Sequence, residues 1–380
     1  MQNAKEKMLL IVDPISNGYS VQMSFLSAVI EGLRDHFDLT VYSNYFSEKR
    51  KQELSQMGVD IIIKRSKSLP RLFKKLVFPH LNEALLWTIN WFFDSIEMSL
   101  GKHDENLSVA SYVKVLDLSS TVFIKSDVWW IQGEPFYEVL RKMSSVNLLV
   151  KSIFYLTRKQ LRKVSDLITK RKISYSKIQV ASSEYVKILY QQFNINIPFV
   201  INSSQKFDKF GLDCDLINKK YVLAYIGKET DSEAIISIAQ MGINVIGYGA
   251  KIPPGMGLTK LKKNITFLGS VSSAFLNQLY SSAKFFVFPF TNEAFGYTPI
   301  EAMLCGVPVL TYNKEGPSET VIDGVTGWLA NSKEEFIKIA FSLWNSDDLG
   351  IRKEACIARG KELTISPQIS KLIHIMASDS

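Results

Sequence analysis

Cysteine is scarce in this 380-residue chain, and histidine is almost as rare. The three cysteines, Cys214, Cys305 and Cys356, stand at unrelated spacings. They offer neither a disulfide framework nor a zinc site, which favours a reducing compartment. The four histidines are scattered singly and read as structural residues rather than metal ligands. No Ser–His–Asp set can be assembled from such isolated residues. Long apolar runs are also missing. The longest candidate, Ala84 to Phe93, is interrupted by Asn90 and bounded by Glu83 and Asp94, well short of the ~18–20 residues needed to span a bilayer. Met8 to Val12 is too short for a secretory signal and leads straight into Asp13. The expectation is a cytoplasmic protein that does not cross a membrane.

What is present is apolar residue in quantity and an uneven charge. Hydrophobic residues make up 46% of the chain, ample for two buried sheets, and this length suits two domains better than one. The net charge of +8 sits in the first half, where residues 1–200 hold 27 Lys and Arg against 19 Asp and Glu. Two segments concentrate it. Leu69 to Leu81 mixes Arg71, Lys74 and Lys75 with Phe73, Val77 and Phe78, and Ile153 to Lys172 carries seven basic residues and one acidic. In the second segment Ile153, Leu161, Val164 and Ile168 can share one helical face, with Arg158, Lys159, Arg162 and Lys163 beside or opposite it. A basic amphipathic helix suits an anionic surface; the alternative is a solvated helix packed on its own sheet. No zinc-finger spacing, RNA-recognition motif or basic zipper accompanies the charge, so nucleic acid is not the expected partner.

Short apolar runs alternate with helical patterns along the chain. Leu9 to Asp13, Leu39 to Ser43, Val59 to Lys64, Asp127 to Ile131 and Gln179 to Ala181 read as strands of a first unit. Tyr221 to Ile226, Asn244 to Tyr248, Ile265 to Leu268, Phe285 to Phe290 and Val307 to Thr311 read as strands of a second. Such alternation implies parallel sheets with ligands at their carboxyl ends. The polar stretch Asn202 to Lys220 reads as a hinge, and about Pro70 to Ser108 as a helical, aromatic insert. The expected division is residues 1–203, 204–366, and a final helix in 367–380 that returns to the first domain.

The stretch from Phe285 to Leu329 is the most informative. It sets Glu293 and Glu301 eight positions apart across a strand-to-helix turn containing Gly296 and opened by Thr298 and Pro299. A proline in the first helical turn costs little, and the amides there form a ready anion site. Flanking carboxylates suit sugar hydroxyls. A plainer reading stands beside this one: Thr298-Pro299-Ile300-Glu301 fits a capping box with Thr298 at the N-cap.

The ordered set Glu293-Ala294-Phe295-Gly296-Tyr297-Thr298-Pro299-Ile300-Glu301-Ala302, Cys305-Gly306-Val307-Pro308-Val309, Gly316-Pro317-Ser318-Glu319 and Asp323-Gly324-Val325-Thr326-Gly327 resembles the retaining glycosyltransferases of family 4, the glycosyl transferases group 1. Asn264-Ile265-Thr266-Phe267-Leu268-Gly269 and Leu279 to Ala283 match the same signature, which is dense over roughly 221–330. The resemblance implies the GT-B fold: α/β, two tandem Rossmann-like domains facing a central cleft. By position, it implies that Glu301 holds the ribose hydroxyls of a nucleotide and Glu293 contacts the donor sugar. The backbone around Phe295, Gly296, Tyr297 and Thr298 would serve the sugar and diphosphate. In the first domain, Asn17 and Gly18 match the glycine-bearing turn after strand one, although a lone Asn-Gly is by itself only a turn signal.

Two departures from the family pattern stand out. Lys228 supplies one diphosphate cation, but the second expected lysine falls in Asp231-Ser232-Glu233. At the end of the Asp127-to-Ile131 strand a frequent histidine is replaced by Gln132, which can donate to a hydroxyl but cannot carry a proton. Glu134, just beyond, is a candidate for acceptor positioning or base help, or equally for a helix cap. Asp213-Cys214-Asp215 has the Asp-x-Asp form of metal-dependent transferases but lies in the presumed hinge, so no obligatory metal or other cofactor is expected. The function implied is retaining transfer of a sugar from a UDP- or GDP-linked donor to an acceptor hydroxyl. A lipid-linked glycan at the inner, cytoplasmic face of a membrane fits the basic first half. A soluble acceptor, a sugar-nucleotide epimerase and a non-catalytic sugar-nucleotide-binding subunit are the alternatives.

Overall fold

The computed structural model describes residues 5–13, 15, 20–43, 46–63, 107–119, 122, 124–133, 148–205, 207–211, 221–227, 229–249 and 264–378. The chain divides into two compact units. The first comprises Met1–Ser182, Val186–Ile201 and Ile369–Ser380, and the second Ser183–Tyr185 and Asn202–Gln368.

In the first unit the described elements run β1 (Glu6–Ile11), α1 (Ser20–Leu33), β2 (Phe37–Ser43), α2 (Glu48–Gln56), β3 (Asp60–Ile63), β4 (Lys114–Asp117) and β5 (Ser126–Ile131). Then come α3 (Leu148–Ser174), β6 (Ser176–Ala181), α4 (Glu184–Gln191) and β7 (Phe199–Val200). The strands form one parallel sheet in the order β3-β2-β1-β4-β5-β6-β7. Met8 to Ile11 are wholly buried, as expected of a strand covered by helices on both faces.

The second unit repeats the plan. Its elements are β8 (Val222–Tyr225), α5 (Ser232–Gln240), β9 (Val245–Tyr248), β10 (Ile265–Phe267), α6 (Ser273–Ser282), β11 (Phe286–Phe288) and α7 (Tyr297–Leu304). β12 (Val309–Tyr312), α8 (Pro317–Thr320), β13 (Gly327–Ala330), α9 (Lys333–Asn345) and α10 (Lys353–Glu362) follow. The parallel order is β10-β9-β8-β11-β12-β13. Capping follows from the sequence: Asp231, Ser272 and Ser332 accept hydrogen bonds from Ala234, Phe275 and Glu335 N–H at the starts of α5, α6 and α9. In both sheets the strand order reverses beside the first strand, between β1 and β4 and between β8 and β11. Such reversals are where open α/β sheets bind ligands. The final helix, α11 (Ile365–Ser378), belongs to the first unit from Ile369 onward, and Lys114 Nζ there donates to Met376 O at 3.0 Å.

The expected α/β class and tandem Rossmann-like sheets are therefore observed. Strands β4, β7 and β13 lie where the sequence pattern shows none. They have four, two and four residues, too short for a period-two signal, and pairing with long neighbours defines them.

One expected face needs correction. Among the described side chains of α3 the buried ones are Ser165, Thr169 and Lys172, with Ile168 half-buried, while Val164 is exposed. Leu156 and Leu167 are 82% and 68% exposed. The cause is Lys172, which reaches inward to the Asp117 carboxylate, Ser119 Oγ and Val122 O and lies over the Trp129 ring. Asp117 also accepts from Ser119 N–H and Oγ at 2.9 and 2.7 Å. A fully satisfied ion pair is thus buried at the carboxyl edge of the first sheet. The side chains of Ile153 and Leu161, the Leu69–Leu81 segment and the 70–108 insert lie outside the described residues. Among the described residues no helix is long and apolar enough to cross a membrane.

Candidate functional site

The second sheet ends in three closely tied loops. After β11 the chain is fastened on one side to the β8–α5 loop. Asp231 N–H donates to Pro289 O at 2.9 Å and Thr291 N–H to Glu229 O at 2.7 Å. On the other side it is fastened to the β12–α8 loop. Gly316 N–H donates to Glu293 O at 3.1 Å, and Glu293 N–H to a Glu315 carboxylate oxygen at 2.6 Å. Glu315 adopts φ of 55°, a left-handed conformation rare outside glycine, which aims its carboxylate at that amide. Gly316 is required by close approach, because a Cβ there would fall 2.2 Å from Ala294 O. The glutamate loop is therefore a rigid platform.

Helix α7 opens from this platform. Its N-cap is Gly296 at φ of 92°, so the capping-box reading with Thr298 at the N-cap is overturned. Thr298 Oγ1 is buried without a hydrogen-bond partner, and Glu301 turns to another element. The physical reason is geometric: once Gly296 takes the left-handed turn, Thr298 already lies inside the helix. First-turn amides have no acceptor within their own helix. Phe295 is buried against Tyr297 in an edge contact at 5.6 Å. Its amide donates to Glu293 Oε1 at 3.3 Å, so that amide orients Glu293.

Glu293 and Glu301 are both half-buried. Glu301 Oε2 accepts from the Tyr280 hydroxyl of α6 at 3.1 Å, and Tyr280 in turn lies 2.5 Å from the Tyr248 hydroxyl at the end of β9. Burial pushes the Glu301 carboxyl up to about 7, and the Tyr280 hydrogen bond opposes that rise. Tyr225, at the end of β8, meets Tyr248 edge-on at 5.7 Å. Its phenol is pushed up by burial and then by the fields of Glu229, Glu293 and Glu301. The fields of those three carboxylates thus reach one phenol at the end of β8, beside the point where the strand order reverses.

A neighbouring cavity of about 320 Å³ lies over the ends of β11, β12 and β13, lined among others by Asp231, Thr291, Tyr312 and Lys314. The Lys314 ammonium lies over the Phe290 and Tyr312 rings at 5.4 and 5.2 Å.

Of the residues singled out from sequence, Glu293, Phe295, Gly296, Tyr297, Thr298 and Glu301 are brought together on one loop-to-helix element. Gln132 belongs to the first unit, where its Nε2 donates to Trp130 O at 3.2 Å. Lys228, Glu134, Asn17, Gly18 and Asp213 to Asp215 lie outside the described residues. Sequence reasoning missed Tyr225, Tyr248, Tyr280 and Glu315. A signal existed for the first two, since each ends a parallel strand of the second sheet, the edge where such folds bind ligands.

Comparison with known proteins agrees with this geometry. Residues 257–362 match the model of the family described as glycosyl transferases group 1. The chain is 41% identical over 100 residues, 26% of its length, to the alpha-1,3/1,6-mannosyltransferase alg-2 of Neurospora crassa. It is 29% identical over 159 residues, 36% of its length, to the capsular polysaccharide biosynthesis glycosyltransferase CapM of Staphylococcus aureus, covering 41% of that protein. The chain spans about a fifth of the length of the fungal mannosyltransferases it matches. The solved structure of Anabaena Alr3699/HepE in complex with UDP superposes with a TM-score of 0.66 at 14% identity, over 98% of this chain and 100% of that one. Residues 257–362 of the second unit thus carry the signature of the glycosyl transferases group 1, and the two units share the GT-B fold of paired Rossmann-like domains.

Proposed function

We propose that this protein transfers a sugar from a nucleotide-sugar to an acceptor hydroxyl, with retention of anomeric configuration and without an obligatory metal. One observation carries the reading: Glu293 and Glu301 lie on one rigid element, at either side of the amide-bearing start of α7, beside the strand reversal of the second sheet. Each carboxylate oxygen accepts a hydroxyl proton in a charge-assisted bond, so the pair suits the two diols of one donor. Glu301 would take the ribose and Glu293 the transferred sugar. Acids on one continuous element contact different parts of a single ligand rather than flank one bond, which argues against a glycosidase-type acid and nucleophile pair.

The diphosphate would be served by the first-turn amides of α7 and by Lys228, which stabilise charge as it develops on the leaving group. The acceptor hydroxyl then attacks from the face the diphosphate leaves, and a departing phosphate oxygen takes its proton. Gln132 and Glu134 are the candidates for contacting the sugar and the acceptor, and Asn17 and Gly18 for a close backbone approach. The related HepE structure contains UDP, which makes the uridine series the first donors to screen and the guanosine series the second.

For the acceptor we propose a lipid-linked glycan at the cytoplasmic face of a membrane, with the enzyme held peripherally. Support comes from α3, whose outward face carries Leu156, Lys163, Leu167 and Lys170, spaced by whole helical turns. Each basic side chain near an anionic leaflet contributes about 1 kcal/mol.

Transfer from a panel of nucleotide-sugars, chosen by thermal shift, tests the activity. Glu293→Ala is expected to lower turnover on the order of 10²–10³-fold while melting as a folded protein. Unchanged turnover in that variant overturns the assignment. Flotation with anionic vesicles tests the surface, and failure to bind at low salt discards it.

A further inference from the structure

Resting on that reading of Glu301, we infer that Tyr280, backed by Tyr248, is a positioning residue that holds one oxygen of Glu301 and leaves the other directed to the nucleotide's ribose diol. Three observations support it. First, among the described residues the Glu301 carboxylate accepts a single hydrogen bond, at Oε2 from Tyr280. Oε1 is thereby the oxygen available to a ligand. Second, a half-buried carboxylate with no described lysine or arginine beside it depends on hydrogen-bond donors for its charge and its direction. Third, the donor is itself prepared. Tyr280 and Tyr248 are both buried and their hydroxyls lie 2.5 Å apart.

The direction of the protons follows from the acceptors. Tyr280 Oη has two acceptors ahead of it, Glu301 Oε2 at 3.1 Å and Thr298 O at 3.3 Å. A hydroxyl has one proton to give, and the charged oxygen is the stronger acceptor. Tyr248 then donates to Tyr280, and a chain of two hydroxyls polarised toward the carboxylate is stronger than one alone. The described titratable groups that interact with Glu301 from the surrounding elements are Tyr225 on β8, Tyr248 on β9 and Tyr280 on α6. None of these groups carries positive charge, so among the described residues no cation substitutes for the Tyr280 hydroxyl.

The three elements come from residues 248, 280 and 301, far apart in sequence. Tyr280 sits on α6 and Glu301 on α7, so the hydrogen bond between them sets the rotamer of Glu301 independently of its own helix. A phenylalanine at 280 keeps the ring contacts with Phe210, Tyr248 and Phe286 and removes the hydroxyl that donates to Glu301 and accepts from Tyr248.

The test measures affinity for UDP and for GDP with the full-length protein between pH 6 and 9, in wild type, Tyr280→Phe, Tyr248→Phe and Glu301→Ala. Tyr280→Phe is expected to weaken nucleotide binding roughly 5–20-fold and to move the acid limb of the affinity profile upward by about one pH unit. Tyr248→Phe is expected to act in the same direction and less, about 2–5-fold. A purely packing role for Tyr280 would lower stability without moving that limb. An unmoved limb and unchanged affinity in Tyr280→Phe, with Glu301→Ala weakened, overturn the inference while leaving the ribose reading intact. Unchanged affinity in Glu301→Ala overturns the ribose reading itself. If Tyr280→Phe fails to fold, Tyr248→Phe decides, with a displaced limb in favour and an unmoved one against.

Discussion

Each unit shields a carboxyl group near the place where its strand order reverses, Asp117 wholly and Glu301 by half, and the two are held in opposite ways. Asp117 of the first unit meets the Lys172 ammonium, with both side chains about 1% exposed, and Ser119 fills its remaining oxygen. Glu301 of the second unit meets one phenol and, among described residues, no cation. A buried acid that is paired and saturated is a structural tie. One that is half-buried, lightly held and pushed up to about 7 carries a cost of ionisation, and such sites cluster where ligands bind. The same topology therefore holds an acid paired with a cation in one unit and an acid held by a phenol in the other.

The strongest way to break this contrast is to unpair the first acid. Lys172→Met should cost about 3–5 kcal/mol, because Asp117 is left buried without its partner. Urea unfolding followed in a first-unit probe such as the Trp129–Trp130 fluorescence measures it. Adding Asp117→Asn should recover more than half of the loss. A single variant as stable as wild type would mean the pair is not a tie.

The second acid should respond with the opposite sign. Glu301→Gln is expected to raise stability at pH 8 by about 2–3 kcal/mol and to abolish stabilisation by nucleotide. The direction follows from linkage. The folded value near 7 lies above the ordinary 4.5, so the ionisation cost is absent below pH 4.5. It grows as pH rises from about 4.5 to about 7 and is complete above that. The gap between variant and wild type should thus be near zero at pH 4 and open across that window. A gap that is constant with pH would show that Glu301 is not the titrating group.

The smallest expected effect concerns the turn that exposes the α7 amides. Gly296→Ala places a Cβ at φ of 92° and 3.1 Å from Pro317 Cγ. It should cost about 1–2 kcal/mol and weaken nucleotide binding more than that loss of stability explains. A variant that melts lower yet binds UDP as wild type does would confine Gly296 to a backbone role.

How much of this was legible beforehand differs by region. The long buried strands, such as Leu9 to Ile11 and Asp127 to Ile131, are continuous apolar runs and were readable. Strands β4 and β13 were not, because four residues carry no period and their identity comes from the neighbours they pair with. Helix α3 was legible as basic and amphipathic, and Ile168 packs on the core, but the polar residues of its inward face were not foreseen. An apolar count cannot anticipate that Lys172 enters the interior to meet Asp117, 55 positions away. Glu293 and Glu301 were legible because their loop, its glycine and its helix start are contiguous.

By itself the sequence determined the alternation of strands and helices, the two-unit α/β architecture and the loop on which both glutamates ride, since these are written in local spacing. Only the tertiary structure decided that Gly296 rather than Thr298 begins α7, that Glu315 takes a left-handed turn to hold the Glu293 amide, and that Tyr280 and Tyr248 stand behind Glu301. Hydrogen bonds to partners 21 or more positions away form only after the sheet has brought separate elements together. The charge state and aim of an acid are properties of that assembled surrounding, not of the residues next to it in the chain.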